Sequence, residues 1–230
     1  MSVHEYELEP IPGLPGIPPA GEKILWQGSP EWRSFLVHVL HARWVLAYFG
    51  ALTAWRFYAS VSDGLSLPAA ITSSLWLMPM WLTVIAALVG YAVAASRTTI
   101  YTLTNKRLII RFGVALPMCV NVPFTKVIGA DLKMFGDGTG QLPLELDGDV
   151  RLAYLVIWPH VRPGAYLNPR PMLRSIPNPQ AVAKLLAEVL ALTQPGVAGE
   201  LVPSKPFIGS RPLKPITTAA GPGFAPAAAE

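Results

Sequence analysis

The chain has 230 residues, 52% hydrophobic and 14% charged, with a mean hydropathy of +0.40; an ordinary soluble domain carries about 25% charge. A net charge of +4 comes without a Lys/Arg block or an aromatic-basic array, so nucleic acid is not an expected partner. The single Cys119 excludes an intrachain disulfide and a thiolate zinc cage, and suits a reducing compartment.

The first residues, Met-Ser-Val-His-Glu-Tyr-Glu-Leu-Glu, are acidic and show no short apolar core of a cleavable signal. Glu9–Ala20 holds five prolines and reads as an extended leader able to lie along a partner, closing a segment 1–20. Gly21–Gly28 is compact and apolar between glycines, as one short strand would be. Ser29, Pro30 and Glu31 then predict a helix with Ser29 as N-cap and Pro30 at the first helical position. Its Trp32, Phe35, Leu36, Val37, Val39 and Leu40 place it in a membrane interface, and the chain is expected to enter the bilayer near Arg43 and Trp44, ending a segment 21–43.

A helix rises ~1.5 Å per residue, so roughly 20 apolar residues cross ~30 Å of hydrocarbon. Gly64–Ser96 is uncharged and predicts one span at Ile71–Ala95; Trp44–Val61, apolar except for Arg56, predicts another, giving a transmembrane hairpin over 44–95. Arg56 lies close enough to the far end to snorkel outwards. The loop Ser62–Ala70 has Asp63 and no cation, whereas Lys23, Arg33 and Arg43 precede the first span and Arg97, Lys106 and Arg107 follow the second. The positive-inside rule then puts both termini in the cytoplasm.

From Thr98 the pattern becomes strand-like, and a domain over 96–193 is expected. Strands are predicted at Thr98–Leu103, Arg107–Phe112, Leu116–Val122, Lys126–Met134, Gln141–Leu146 and Val150–Ile157. Turns fall at Thr104–Lys106, Asn121–Pro123, Gly136–Gly140 and Asp147–Asp149. An irregular proline-rich link covers Pro159–Pro177. Asn178 and Pro179 then cap a helix whose Val182, Leu185, Leu186, Val189 and Leu190 share one face, suited to plugging an open barrel or sandwich. Residues 194–230, rich in Pro, Gly and Ala, read as a disordered tail.

Thr99-Ile-Tyr-Thr-Leu-Thr-Asn-Lys-Arg-Leu-Ile-Ile-Arg111, with Gly21-Glu-Lys-Ile-Leu-Trp-Gln-Gly28 upstream and paired spans between, resembles the bacterial membrane-anchored pleckstrin-homology-like domains. Trp26-Gln-Gly-Ser-Pro-Glu-Trp32, the Pro-Gly-Leu-Pro leader, Asp137-Gly-Thr-Gly140 and Ala153-Tyr-Leu-Val-Ile-Trp-Pro-His-Val-Arg-Pro163 are more narrowly similar to the PuhB-like reaction-centre assembly proteins of purple bacteria. The resemblance covers roughly Pro10–Leu192. It implies a membrane α+β protein: a two-span helical hairpin plus an antiparallel pleckstrin-homology-like barrel capped by a C-terminal helix. It also implies residence in the cytoplasmic (intracytoplasmic photosynthetic) membrane, self-association as a homodimer, and partners among the reaction-centre and core light-harvesting polypeptides. The alternative is a generic lipid-binding or scaffolding membrane module unconnected with photosynthesis.

The candidate site residues are few. His38 and His41, three apart on one helix face, are able to ligate the magnesium of a bacteriochlorophyll, although two histidines without a third ligand more often sit at a headgroup boundary. No resident cofactor or metal is expected. Arg97, Lys106, Arg107 and Arg111, with Lys126 and Lys133, are candidates for pressing the domain onto anionic membrane lipid. Trp26, Trp32, Gly50, Gly90, Trp158, His160 and Arg162 are candidates for partner contact: aromatic anchors, small residues that permit close helix approach, and a Trp158-Pro-His160 corner followed by Arg162, for which simple closure of the barrel is an equal reading. Gly136–Gly140 lacks the Lys-Ser/Thr ending of a phosphate loop and reads as a hairpin turn, and the aspartates 137, 147 and 149 lack calcium-loop spacing. Without a His-Glu-x-x-His motif, a nucleophile elbow or a separated carboxylate pair, catalysis is not expected.

Overall fold

A computed structural model describes residues 13–14, 16–147 and 153–193. The expected tail at 194–230, most of the leader, Asp149 and the start of the strand expected from Val150 lie outside the described residues.

The chain begins with β1 (Ile24–Gly28) and then forms four helices: α1 (Trp32–His38), α2 (Ala42–Ser62), α3 (Leu67–Leu75) and α4 (Met78–Thr98). Glu31, not Ser29, caps α1, its carboxylate accepting from the Ser34 N–H at 2.6 Å; the longer side chain reaches the third helical N–H directly. His41 takes a left-handed conformation (φ 55°), and α1 and α2 meet there at a bend of 55°. The predicted loop is shorter than Ser62–Ala70, because Ser66 and Pro68 start α3. Pro79 has no N–H to give the turn before it, and α3 and α4 part at Trp76 and Leu77. By length and composition Leu67–Thr98, 32 residues, is one helix able to cross a membrane, and α1 with α2 qualifies as a second only as a bent pair.

α2 and α3 hold one another at the far turn, where Ala70 is fully buried and the Ser60 and Ser73 hydroxyls lie 2.8 Å apart. At the other end α1 packs on α4 through Phe35, Ala92 and Ala95. Most other large side chains of α2, α3 and α4 are exposed, among them Trp44, Tyr48, Trp55, Leu75 and Leu82. In water such a surface would be a large contiguous apolar liability; in lipid it costs nothing.

α4 runs to Thr98, beyond the expected strand start, because the Thr98 hydroxyl bonds back to the Ala94 carbonyl at 3.0 Å. Strands β2 (Ile100–Thr104), β3 (Arg107–Phe112) and β4 (Met118–Pro123) follow, and with β1 they make an antiparallel sheet of order β1-β2-β3-β4. A short 3-10 turn at Phe124–Lys126 leads into β5 (Val127–Ala130), and a break at Asp131 and Leu132 splits the strand expected over Lys126–Met134 into β5 and β6 (Lys133–Met134). β7 (Thr139–Leu146) carries both along one edge and β8 (Met172–Pro177) along the other, forming a second antiparallel sheet.

Three expectations are corrected. Among the described residues the strands form two sheets and do not close into a barrel. Tyr154–Ile157 is a turn of helix, α5, not a strand. β8 occupies the end of the stretch expected to be irregular, for Met172, Leu173 and Ile176 supply apolar side chains that the flanking prolines hide from a pattern search. The closing helix α6 (Pro179–Thr193) buries Val182, Leu186, Val189 and Leu190 in one core with Leu108, Ile110, Phe112, Leu142, Leu144 and Leu173 of both sheets. Leu185 is half-buried against it.

Candidate functional site

The chemistry of the described residues concentrates where α4 joins the sheets. Thr99 leaves α4, and its hydroxyl lies 3.3 Å from Nε2 of His160; the ring's Nδ1 lies 2.8 Å from the Tyr101 hydroxyl. That hydroxyl already accepts the Arg174 N–H at 3.1 Å, so its own proton goes to Nδ1. The ring is therefore assigned the neutral tautomer with hydrogen on Nε2, donating to Thr99. Burial pushes the His160 pKa down to about 3, with the Arg174 charge adding to the shift. Phe112 packs against the ring at 5.0 Å between centroids and Phe35 at 6.2 Å. Burial lowers the Arg174 pKa to about 10, and its Nη2 donates to the Val161 carbonyl. His160, foreseen as part of a docking corner, is 1% exposed and ties α4, β2, β8 and α1 together.

α1 is bolted to the second sheet as well. The Glu31 N–H donates to the Ser175 carbonyl at 2.8 Å, and the Ser34 and Thr139 hydroxyls lie 2.6 Å apart. His38 stacks on Phe135 (3.7 Å, 6°) with Nε2 at 3.5 Å from Asp137. Burial lowers the His38 pKa, and Asp137 opposes the shift. Burial works against the charge on Asp137 too, yet bonds from the Thr139 hydroxyl (2.7 Å) and N–H (3.0 Å) hold its carboxyl below the usual range. These bonds make residues 135–139 a hairpin turn, as expected of its glycines and aspartate. His41 lies beyond the helix break, with Nδ1 3.0 Å from the Val39 carbonyl. The two histidines therefore do not share a helix face, and the pigment-ligand pair is not assembled. Among the described residues no group of three His, Cys, Asp or Glu is placed to hold a metal.

The foreseen membrane cations separate. Arg97 is exposed at the end of α4, whereas Lys106 and Arg107 sit at the opposite end of the β2–β3 hairpin, about 20 Å away at ~3.3 Å per strand residue. Arg107 is moreover committed to Glu22 through two bonds of 2.8 and 3.0 Å. Burial opposes ionisation of Glu22, but those bonds keep its pKa below the ordinary value. Arg111 is 6% exposed, because β3 is covered on both faces. Lys126 lies 3.8 Å from Asp147, and Lys133 stands 5.8 Å over the Phe135 ring.

The partner candidates divide similarly. Trp26 is half-buried against the core, Arg33 covers the Trp32 ring at 5.3 Å, and Arg162 bonds to Asp131 at 3.0 Å. Leu14 of the leader is buried on the chain's own domain. Trp158, 48% exposed, stacks on Tyr91 of α4 (6.3 Å, 22°) and borders a cleft of about 130 Å³ between α4 and the loops after β3 and α5. Gly50 and Gly90 are exposed on α2 and α4, and a Cβ at either would meet nothing within 4 Å. Sequence reasoning missed the apolar loop after β3, although an uncharged run from Gly113 to Met118 between two strands was the available signal.

A membrane-length helix continuous with two antiparallel sheets and a closing helix defines the class, and the chain belongs to the bacterial PH domain family, whose model matches residues 60–190. Over 192 residues it is 34% identical to a protein of Rhodobacter capsulatus described as an uncharacterized 23.7 kDa protein in the puhA 5' region, covering 82% of this chain and 88% of the relative. This relatedness is consistent with the PuhB-like group. No solved structure matches the chain.

Proposed function

We propose that the protein is a non-catalytic assembly factor for the bacterial photosynthetic reaction centre and its core light-harvesting complex. It works by protein contacts made through two membrane spans and a cytoplasmic domain, with both termini in the cytoplasm and two copies associating. The observation that carries this reading is the relatedness, over most of both chains, to a protein named for its place beside puhA. The motif resemblance supports it, and so do the open faces of α2 and α4. Gly50, Ala51, Ala54, Ala86, Ala87 and Gly90 are exposed small residues that let a partner helix approach closely, and the neighbouring Trp44, Trp55 and Trp76 are exposed aromatics suited to the two interfaces.

An assembly factor changes the yield of a complex and leaves its chemistry alone. Deleting the gene should lower reaction-centre and core-antenna absorbance together in near-infrared spectra of membranes, with band positions unchanged. Normal amounts of both complexes in the deletion strain would falsify the proposal.

A further inference from the structure

Three exposed apolar segments meet beside the last two turns of α4. The loop after β3 exposes Val114 (45%), Leu116 (78%) and Met118; α5 and its exit expose Leu155 (84%), Val156 and Trp158. The third segment adds Tyr166 (69%) and Leu167 (96%), the most exposed large apolar side chain of the described residues. Their adjacency is direct: Val114, Met118, Leu155, Val156 and Trp158 line one cleft with Tyr91, Ala95 and Thr98 of α4, and the Tyr154 and Tyr166 rings lie 4.8 Å apart. Neither Gly113–Met118 nor Ala153–Pro159 contains a charge. The first loop is a built feature, since Gly113 has φ 122° and a Cβ there would sit 2.0 Å from the Leu116 carbonyl oxygen.

Depth decides what covers this patch. Tyr91 is seven residues from the end of α4, about 10 Å along the helix axis, and Trp158 lies flat against it. If α4 crosses the membrane, Trp158 stands at headgroup level, where tryptophan and tyrosine collect, and the loops after β3 and α5 flank the helix beside it, with Tyr166 against Tyr154. Exposed Arg97 at the helix end supplies a cation for lipid phosphate beside an uncharged apolar surface.

We infer that this end of the domain is itself a membrane-inserting surface, whose loops 113–118 and 153–158, with Tyr166 and Leu167, enter the boundary between lipid headgroups and acyl chains next to α4. The ligand is bilayer lipid, recognised through apolar area and one flanking cation. The inference rests on α4 being a span, as proposed above, and goes beyond it by making the domain a second point of attachment.

The test uses the full chain in phosphatidylcholine-phosphatidylglycerol liposomes. Single cysteines on a Cys119→Ser background, Leu116→Cys and Leu155→Cys, carry an environment-sensitive fluorophore. Leu82→Cys in α4 and Lys106→Cys at the far end of the β2–β3 hairpin are controls. Spin-labelled lipid with a shallow quencher should abolish emission at 116 and 155 and leave 106 untouched, while a deep quencher acts at 82. Quenching at 82 without quenching at 116 and 155 overturns the inference and leaves the span standing. The absence of quenching at 82 removes both. If 116 and 155 are unquenched in liposomes yet shielded from a water-soluble thiol reagent in native membranes, the occupant is a protein and the lipid assignment fails.

Discussion

At the scale of single residues the central object is His160, a neutral imidazole sealed among Thr99, Tyr101, Phe35 and Phe112. Its folded pKa of about 3 lies below the ordinary 6.5, so between these values the unfolded chain binds the proton and the folded chain does not. Stability is therefore whole above the ordinary value and falls as pH drops below it, with a slope approaching 1.4 kcal/mol per pH unit from this group, about the cost of one pKa unit. Denaturant unfolding of the detergent-solubilised chain at about pH 7.5 and about pH 5 should show that loss, and His160→Gln should flatten it while lowering stability at the higher pH by roughly 1–3 kcal/mol. An equally steep pH dependence in the variant would assign the effect to other groups. His160 was singled out in the sequence, as part of a corner that either docks a protein or closes the strand domain, and its burial agrees with the second. Linear order shows a histidine after Trp-Pro, and nothing in it reveals that β2 delivers Tyr101 to the ring, which depends on contacts across some 60 residues. The spread of the cations was hidden for the same reason, since register alone places Arg111 near α4 and Arg107 at the distant end of the strand.

At the scale of elements, long apolar or alternating runs were legible: α2, β3 and α6 stand close to where the sequence places them, because each carries a sustained pattern over two turns or several strand residues, whereas the helix expected over Ile71–Ala95 is divided at Trp76 and Leu77 into α3 and α4. β8 and α5 were not, for both are short and bordered by proline, so local chemistry outweighs any period. The helices also carry the clearest test of partner contact. Leucine at Gly50 or Gly90 improves helix propensity by up to about 1 kcal/mol, and its Cβ would meet nothing within 4 Å in the chain itself. Gly50→Leu and Gly90→Leu should therefore leave the amount and melting temperature of the protein unchanged while reducing reaction-centre and core-antenna yield and their recovery with the tagged protein. Unaltered recovery would remove these faces as docking sites; loss of the protein itself would mean that they serve its own fold.

At the scale of the whole molecule, the two-sheet unit is assembled from chain on both sides of α2–α4: β1 pairs with β2, α1 packs on α4 and β8, and all of this lies at the end of α4 away from the α2–α3 turn. A reporter at residues 63–66 should be active only outside the cytoplasm, and one at the C-terminus only inside; the reverse pattern, or equal activity at both, would sink the two-span arrangement. The pairing of β1 with β2 has a consequence for biosynthesis. β1 ends at Gly28 and its partner β2 begins at Ile100, so at about 5–20 residues per second of translation the strand waits several seconds for its neighbour. During that interval α2, α3 and α4, the helices of the proposed spans, have to leave the ribosome, while an unpaired strand edge stands open to any other chain. Completion of the sheet thus reports that the second helix has arrived, and a nascent chain whose hairpin stalls would be left with its first strand exposed to chaperones and proteases.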